Sequence, residues 1–525
     1  MPEKSSILVP RQKIGLIVGI ILFLLVLFAP TPEGMSPAAQ RMAAVVLLMA
    51  TWWMTEAIDI ALTSLLPLAL FPILGIMASD KVAPYYADHT IYLFLGGFVV
   101  ALAIQKWNLH QRIALHTVCL VGTEPTRLLL GIMGAAAFLS MWMSNTACTL
   151  MLLPIGMAVV LQVAGEGSHG GQRDPKVVEH FGSVLMLGIA YGAGLGGMAT
   201  LIGTPPNLVF AGAFPRLFPE APPIGFLQWM GIGVPILVVF FPISWFYLCR
   251  FGSRIPLRQI RFSGSASVIQ DELNKLGKMT RPERYVLVIW IATALLWFFR
   301  APIQLGSFTV PGWSQLFGKP AFLQDATVAM VMALVLCLFP IKHKDPKAPE
   351  RESWSFLMDW KTLQSGMPWG ILLLFGGGFA LAGGFEQTGL SAWMGNILSG
   401  MAGLNPVFMI FLTCFLLMAL TSVTSNTAVT IVALPVLAAA AVKMGIHPFL
   451  LMIPGTLAAS CAFMLPVSTP PNAIVFGSGW VTIPHMARVG VVLNVIGIFI
   501  ITGLILLLGG PVFGISFTQV PAWAK

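Results

Sequence analysis

Charge is the property that this sequence has least of. Only 9% of its 525 residues are charged and 57% are hydrophobic, whereas soluble domains contain about 25% charged residues. This low charged fraction and high hydrophobic fraction exclude a globular protein surrounded by water. Between short charged stretches lie apolar runs long enough to cross the hydrocarbon core of a membrane, which takes about 20 residues. The sequence therefore predicts an all-α polytopic membrane protein.

Cysteine is also scarce, and the apolar runs lack groupings of metal-binding or acid–base residues. The six cysteines stand singly inside apolar segments, where we interpret them as small buried residues: Cys119, Cys148, Cys249, Cys337, Cys414 and Cys461. The eight histidines show no paired ligand spacing. We expect Glu56, Asp59 and Asp325, at the ends of apolar runs, to be solvated. A membrane-embedded enzyme needs intramembrane ionisable groups, so we predict that the chain is not an enzyme.

Eleven membrane spans follow from the apolar runs. They are predicted at 14–30, 40–58, 60–77, 90–107, 181–210, 226–249, 285–300, 323–341, 366–385, 449–477 and 489–509. The first run lacks a clear cleavage pattern, so we interpret it as a retained helix. With a cytoplasmic N-terminus and an external C-terminus, 22 of the 29 Lys and Arg residues lie on the cytoplasmic side. This is the positive-inside rule of an inner-membrane protein, so the net charge predicts no nucleic-acid partner.

The chain contains two copies of one pattern. At an offset of 281 residues, the segment Phe94–Phe98 matches Phe375–Phe379, and the tetrapeptide Ser-Asn-Thr-Ala occurs at both Ser144–Ala147 and Ser425–Ala428. At an offset of 265 residues, the tetrapeptide Thr-Pro-Pro-Asn occurs at both Thr204–Asn207 and Thr469–Asn472. Ordered matches at consistent separations indicate an internal duplication.

The two copies are predicted to be inverted repeats. Five predicted spans separate the two Ser-Asn-Thr-Ala motifs, so the flanks of the second motif face the opposite side of the membrane. Inverted repeats with a site at the midplane are characteristic of secondary transporters. The predicted divisions are an N-terminal segment with the first helix (1–36), a first repeat (37–250), a basic cytoplasmic linker (251–284), a second repeat (285–509) and a tail (510–525).

Each Ser-Asn-Thr-Ala motif lies near the middle of an uncharged segment that we interpret as a re-entrant hairpin. The hairpins are placed at about 128–163 and 406–442. In the first, the arms on either side of the motif have about 16 residues, or about 24 Å as helix, short of the ~30 Å hydrocarbon core. Because lipid does not tolerate non-helical backbone, both tips are predicted to face the protein interior.

The Thr-Pro-Pro-Asn motifs predict broken helices. Two consecutive prolines remove two backbone donors and force the preceding residue out of the helical region, so spans 181–210 and 449–477 are predicted to break at Thr204-Pro205 and Thr469-Pro470. A break exposes carbonyl groups, which suit a small cation, and N–H groups, which suit a carboxylate. Four such elements predict a site for an anion together with Na⁺, without a buried Arg or Lys.

These paired motifs resemble the divalent anion/sodium symporter family, which includes the bacterial Na⁺-dicarboxylate transporters. The resemblance extends from about Ile14 to Gly509. It implies eleven transmembrane helices and two re-entrant hairpins, a homodimer in the lipid bilayer, and an elevator motion. In that motion a transport domain, which carries the hairpins and broken helices, moves the substrate past a scaffold domain. The expected substrates are C4 dicarboxylates of the succinate, malate and fumarate class, with Na⁺ as the coupling ion.

The resemblance also implies which residues bind. The expected substrate residues are Ser144, Asn145, Thr146 and Pro205 in the first repeat, and Ser425, Asn426, Thr427, Thr469 and Pro470 in the second. The expected sodium sites are Ser140, Ser144, Asn145 and Gly203 for the first, and Thr421, Thr424, Asn426 and Ser468 for the second. Two alternatives stay open: a sodium-independent exchanger of dicarboxylates or tricarboxylates, and a symporter of sulfate-type anions.

Overall fold

The computed structural model of the chain is mainly helical. It describes residues 9–122, 124–165, 175–253, 255, 257–259, 265–305, 308–345, 348–398, 404–517 and 519–524. The predicted N-terminal segment, the basic linker and the tail therefore lie partly outside the described residues. So does part of the chain between the Ser-Asn-Thr-Ala and Thr-Pro-Pro-Asn motifs of the first repeat. Within the described ranges, eight helices are long and apolar enough to cross a membrane by length and composition. The prediction of a polytopic, predominantly helical membrane protein is confirmed.

The first half of the chain contains twelve described helices. They are α1 (Pro10–Phe28), α2 (Pro37–Thr55), α3 (Ile60–Thr63), α4 (Leu66–Ile73), α5 (Ser79–Val82), α6 (His89–Lys106), α7 (Leu109–Val121), α8 (Pro125–Ser140), α9 (Asn145–Gly165), α10 (Pro175–Gly197), α11 (Pro205–Leu217) and α12 (Phe226–Phe251). The predicted span 60–77 is divided into α3 and α4. Ser64 ends α3 by donating its hydroxyl to Ile60 O at 2.7 Å, and Pro67 lies in the first turn of α4, where its missing N–H costs no hydrogen bond.

The second half adds the remaining described elements. The helices are α13 (Ser265–Leu276), α14 (Arg281–Phe298), α15 (Asp325–Leu338), α16 (Trp360–Gly366), α17 (Trp369–Thr388), α18 (Leu390–Leu398), α19 (Pro406–Thr421), α20 (Asn426–Lys443), α21 (Phe449–Ser460), α22 (Pro470–Gly477) and α23 (Ile483–Phe513). Two antiparallel strand pairs supplement the helices: β1 (Ile303–Leu305) with β2 (Phe308–Val310), and β3 (Pro340–Asp345) with β4 (Ala348–Phe356).

The two uncharged segments form helical hairpins whose helix boundaries at the tips match residue for residue. In the first, α8 ends at Ser140 and α9 begins at Asn145; in the second, α19 ends at Thr421 and α20 begins at Asn426. These boundaries are related by the offset of 281 residues that the sequence shows. The hairpin tips are therefore four-residue turns, and each turn ends on the serine of a Ser-Asn-Thr-Ala motif.

Equivalent helices of the two repeats make equivalent packing contacts. The helix before each break packs on its own hairpin: α10 contacts α8 and α9, and α21 contacts α19 and α20. Phe94 of α6 and its counterpart in the second repeat, Phe375 of α17, contact each other edge to face with ring centroids 5.0 Å apart. Both rings are buried. The two copies of the sequence pattern therefore meet inside the molecule at this pair of residues.

Candidate functional site

One cavity brings both pairs of motifs together. It has a volume of about 680 Å³, within the range of small-molecule sites. Its motif residues are Ser144, Asn145, Thr146, Thr204, Pro205, Pro206, Ser425, Asn426, Thr427, Ser468, Thr469, Pro470 and Pro471. All nine residues that the sequence assigned to substrate binding are among them. We refer to this space as the motif cavity.

The serine of each hairpin tip is a helix cap. Ser144 precedes α9, and its hydroxyl oxygen accepts a hydrogen bond from Ala147 N at 3.2 Å. Ser425 precedes α20 in the same way and accepts from Ala428 N at 3.5 Å. This capping explains why a serine stands at each tip, since its side chain satisfies one of the free N–H groups of the first turn. The Asn and Thr that follow are then the first two helical residues at the cavity wall.

The Thr-Pro-Pro-Asn motifs begin the helices that follow each break. Regular helix stops at Gly197 and resumes at Pro205 in the first repeat, and it stops at Ser460 and resumes at Pro470 in the second. The breaks are thus several residues longer than the predicted Thr-Pro junctions, which mark only their ends. Each proline pair occupies the first turn of the new helix, where N–H groups have no helical partner.

The asparagine that ends each motif ties the irregular segment together. Asn207 Nδ2 donates to Thr200 O at 2.7 Å and to the carbonyl oxygens of Gly197 and Met198 at 3.3 Å. In the second repeat, Asn472 Nδ2 donates to Ala462 O at 2.8 Å. It also donates to Leu465 O at 3.1 Å and Ser468 Oγ at 3.2 Å. Because the amide nitrogens of both asparagines donate to these oxygens and both residues are buried, they hold the shape of the breaks.

The residues expected at the first sodium site lie within contact of one another. The side-chain amide of Asn145 is 2.5 Å from Ser140 Oγ and 3.2 Å from the carbonyl oxygens of Gly203 and Ala193. With its nitrogen directed there, Asn145 donates to all three oxygens. With its oxygen directed there, Asn145 Oδ1 joins Ser140 Oγ and the carbonyl oxygens of Gly203 and Ala193. The hydroxyl of Ser140 then supplies the one proton that these four oxygen atoms share. The second arrangement is the kind of oxygen cluster that a small hard cation binds.

The expected second sodium site contains two buried oxygen atoms without a partner. Thr424 Oγ1 and Asn426 Oδ1 have no hydrogen bond to any described residue. Thr421, one turn earlier, is fully buried and donates its hydroxyl to Met418 O at 3.3 Å. Ser468 donates to Leu465 O at 2.5 Å. An unpaired buried polar atom costs about 1–3 kcal/mol, and a bound cation would relieve that cost at both atoms.

Two glycines of the first break are needed for this close approach. A Cβ at Gly197 would lie 2.4 Å from the side-chain oxygen of Asn145, and one at Gly203 would lie 2.5 Å from Gly197 O and 2.8 Å from Ser140 O. Neither Gly197 nor Gly203 could therefore be replaced by a residue with a side chain.

Four residues of the expected cation sites do not themselves line the cavity: Ser140, Gly203, Thr421 and Thr424. The expected cation sites therefore combine residues of the cavity lining, such as the two asparagines, with residues outside that lining.

Helix N-termini supply the positive electrostatic potential of the motif cavity. Four helices begin at its wall: α9, α11, α20 and α22. A helix N-terminus carries about half a positive charge and free N–H groups. Among the described lining residues there is no Lys or Arg. The positive potential for an anion therefore comes from backbone dipoles.

Two acidic residues also line the motif cavity, which was not expected from the sequence. Glu56 and Asp59, in the connection between α2 and α3, are exposed, as expected of solvated span ends, and both also belong to the cavity wall. The one sequence feature that could have indicated this placement is their position in a very short connection between two apolar runs. Asp325 departs from the same expectation, because it is buried, pairs with Arg300 and accepts a hydrogen bond from Phe226 N at 2.8 Å.

Comparison with known proteins places these features in a family. Residues 11–515 match the family model described as the sodium:sulfate symporter transmembrane region. The chain is 39% identical to the sodium-dependent dicarboxylate transporter SdcS of Staphylococcus saprophyticus over 508 residues, which cover 97% of this chain and 93% of that protein. It is 38% identical to SdcS of Staphylococcus aureus over the same length, with the same coverage.

A solved structure shares the fold at low sequence identity. The structure of Neisseria gonorrhoeae MtrF, described as one of a class of antimetabolite efflux pumps, aligns with a TM-score of 0.53 and 11% identity, covering 95% of both chains. At that identity the likeness concerns the fold alone. The family match and the full-length relatives are decisive: the chain belongs to the sodium:sulfate symporter family, which is the divalent anion/sodium symporter family that its motifs resemble.

Proposed function

We propose that this chain is a secondary active transporter that carries C4 dicarboxylates together with Na⁺. The observation that carries the proposal is the motif cavity, where two equivalent Ser-Asn-Thr tips and two equivalent helix breaks meet around one space. A dicarboxylate has two equivalent anionic ends. Two tips related by an internal repeat therefore suit it, because each can offer the same donors to one carboxylate.

Each carboxylate is bound by neutral donors. The side chains of Asn145 and Thr146 at one tip, and of Asn426 and Thr427 at the other, supply hydrogen-bond donors. Pro205 and Pro470 start the helices whose N-termini point at the same space. Binding without a buried Arg or Lys keeps affinity moderate, which suits a site that must release its ligand on the other side.

Sodium coupling follows from the sharing of two asparagines. Asn145 belongs both to a tip and to the oxygen cluster with Ser140 and Gly203. Asn426 likewise belongs to a tip and carries one of the two unpartnered oxygens beside Thr424. When a cation holds the amide oxygen, the amide nitrogen is free to turn toward the anion. Cation and anion binding therefore stabilise the same side-chain orientation, and the unpartnered oxygens favour Na⁺ symport over sodium-independent exchange.

The membrane arrangement belongs to the same proposal. The chain forms eleven spans and two re-entrant hairpins in inverted repeats, within the inner membrane of a bacterium, with a cytoplasmic N-terminus and an external C-terminus. Glu56, Asp59 and Pro368 line the motif cavity, and this topology assigns them to the cytoplasmic side. The cavity then faces the cytoplasm, as it does after inward movement of a transport domain in a homodimer.

Uptake into proteoliposomes tests the function. The purified chain is reconstituted, and entry of labelled succinate is measured with an inward Na⁺ gradient, with an equal K⁺ gradient, and with internal unlabelled succinate but no Na⁺. Symport predicts uptake under the Na⁺ gradient alone. Uptake that ignores Na⁺ and requires internal dicarboxylate would establish exchange instead, and competition by sulfate but not by malate would establish a sulfate-type transporter.

A further inference from the structure

A second cavity lies apart from the motif cavity, where α10 and α23 begin and α12 ends. It has a volume of about 540 Å³ and shares no lining residue with the motif cavity. A space of this size is far larger than an inorganic ion and falls within the range of small-molecule sites. The ring of Trp480 forms one wall by packing on Gly182, where a Cβ would lie 2.8 Å from the ring.

Most of the ionisable side chains that line this second cavity are basic. Lys176 and His180 of α10 are four residues apart, and His485 and Arg488 of α23 are three residues apart, so each pair lies on one face of its helix. Among the described lining residues, Glu179 is the one carboxylate. The lining thus carries two permanent positive charges and two imidazoles against one negative charge. This excess of positive charge attracts an anion.

Main-chain groups reinforce the side-chain charge. Both helices are long, with 23 residues in α10 and 31 in α23, and both begin at the second cavity. Thr482, the residue before α23, lines the cavity and makes no capping hydrogen bond through its side chain. Its hydroxyl and the first-turn N–H groups of α23 are therefore available to a ligand, and the positive helix end favours an anion there.

One imidazole is held in a fixed orientation. His485 Nε2 is 2.5 Å from the carbonyl oxygen of Gly252, which follows the last turn of α12. A nitrogen beside a carbonyl oxygen carries the proton, so the ring is oriented by the end of a third helix. Nearby, Ser183 donates its hydroxyl to His180 O at 3.0 Å. The second cavity is thus assembled by three helices, and two of its side chains make hydrogen bonds to main-chain carbonyl groups.

We propose that this second cavity binds a ligand through a phosphate group. Guanidinium, ammonium, hydroxyl and helix N–H donors are the groups that recognise phosphate, and the remaining volume and the Trp480 wall accommodate the organic part that the phosphate carries. The phosphate comes either from a soluble phosphorylated compound or from the headgroup of an anionic phospholipid. The proposed function contributes only the assignment of this cavity to the cytoplasmic face; binding itself does not depend on transport.

Direct binding to the purified full-length chain tests this proposal. Pyrophosphate is titrated calorimetrically into wild type, Arg488→Gln and the matched control Arg284→Gln, which removes an exposed arginine outside the second cavity. We expect one site per chain in wild type and in the control, and at least tenfold weaker binding in Arg488→Gln. Asn145→Ala, which alters the motif cavity, should bind pyrophosphate as wild type does. His180→Gln provides a second variant if Arg488→Gln does not remain monodisperse.

The lipid source is tested in parallel by native mass spectrometry. Retention of phosphatidylglycerol over phosphatidylcholine by wild type and by Arg284→Gln, but not by Arg488→Gln, would assign the phosphate to a headgroup. Two results would overturn the proposal. One is that neither probe depends on Arg488 or His180; the other is that Asn145→Ala abolishes pyrophosphate binding while Arg488→Gln keeps it. Failure of succinate uptake with intact pyrophosphate binding would contradict the proposed function alone.

Discussion

Asp88 and Arg216 form an ion pair whose side chains are only 17% and 14% exposed. Asp88 caps α6 by accepting a hydrogen bond from Thr90 N at 2.8 Å. Arg216 lies near the end of α11, with its guanidinium 4.1 Å from the ring centroid of Phe379. The pair joins α11, which begins at a Thr-Pro-Pro-Asn break, to α6, which carries no such motif. In the proposed elevator it connects the moving part to the scaffold.

Removal of one member of this pair should destabilise the chain more than removal of both. Arg216→Met leaves the largely buried Asp88 carboxylate without its arginine partner, and breaking a buried ion pair in this way costs about 3 kcal/mol. The double variant Asp88→Asn, Arg216→Met should recover much of that loss. Thermal unfolding of purified protein in detergent measures the effect. Equal unfolding temperatures for the single and double variants would show that the pair is not coupled.

Loss of either tip asparagine should abolish transport while leaving the fold intact. Asn145→Ala or Asn426→Ala removes a donor to the anion and an oxygen at a cation site in one step. Each hydrogen bond to a charged group contributes about 1.5–3 kcal/mol, so we expect uptake to fall by about 100-fold. Succinate uptake in proteoliposomes is the measurement, with elution volume in size-exclusion chromatography as the control. Wild-type uptake in either variant would refute the site assignment.

The unpartnered hydroxyl of Thr424 should matter for Na⁺ and not for the choice of anion. Thr424→Val keeps the shape of the side chain but removes a cation ligand, so the Na⁺ concentration for half-maximal uptake should rise about tenfold, or about 1.4 kcal/mol. Because the hydroxyl has no partner without Na⁺, stability in Na⁺-free buffer should not fall.

The matched control for that experiment is Thr149→Val. Thr149 Oγ1 is also buried without a described partner, but it lies in α9 outside the proposed cation sites. Its Na⁺ titration should coincide with that of wild type. If Thr424→Val and Thr149→Val shift the titration equally, the effect is one of general packing and the second cation site is misplaced.

The two acidic residues of the motif cavity should weaken dianion binding. Asp59→Asn retains the cap on α3, because the side-chain oxygen that accepts from Ala61 N at 2.8 Å remains, while one negative charge near the anion is removed. At low ionic strength we expect succinate to bind about 2–5-fold more tightly, or about 0.5–1 kcal/mol. Calorimetric titration in 20 and 300 mM salt checks this, since screening should reduce the difference. An effect that does not change with salt would indicate a structural cause.

His447 should make stability depend on pH. It is buried in the connection between α20 and α21, and its Nδ1 accepts from Phe449 N at 3.2 Å. Burial lowers the pKa of His447 to about 4, below the ordinary value near 6.5. The unfolded chain therefore binds a proton first as pH falls, so this group reduces stability progressively from pH 6.5 to 4, by about 1–3 kcal/mol.

Substitution of His447 tests that dependence. His447→Gln keeps an acceptor of similar size but cannot titrate, so its unfolding temperature should change less between pH 7 and 5 than that of wild type. Thermal scans at several pH values provide the comparison. Parallel pH profiles for the two proteins would mean that other groups dominate the acid sensitivity.

The parts of the site that could be predicted from sequence are those determined by local chemistry. A capping serine or a pair of prolines favours the start of a helix at that position. The starts of α9, α11, α20 and α22 therefore coincide with the motifs. The role of Asn207 and Asn472 could not be read in this way. Their partners are carbonyl groups whose positions exist only once the break has folded. The placement of Glu56 in the cavity wall and the pairing of Asp88 with Arg216 likewise depend on long-range packing between elements.

The contact between Phe94 and Phe375 has a consequence for the history of the chain. The two residues occupy the same position in the two copies, so before duplication and fusion they would have been one residue meeting itself across a two-fold axis. Such an isologous contact forms only between two copies of the same surface. In the proposed inverted-repeat arrangement, this contact would descend from the interface of a dimer of half-length chains that fusion joined into one chain.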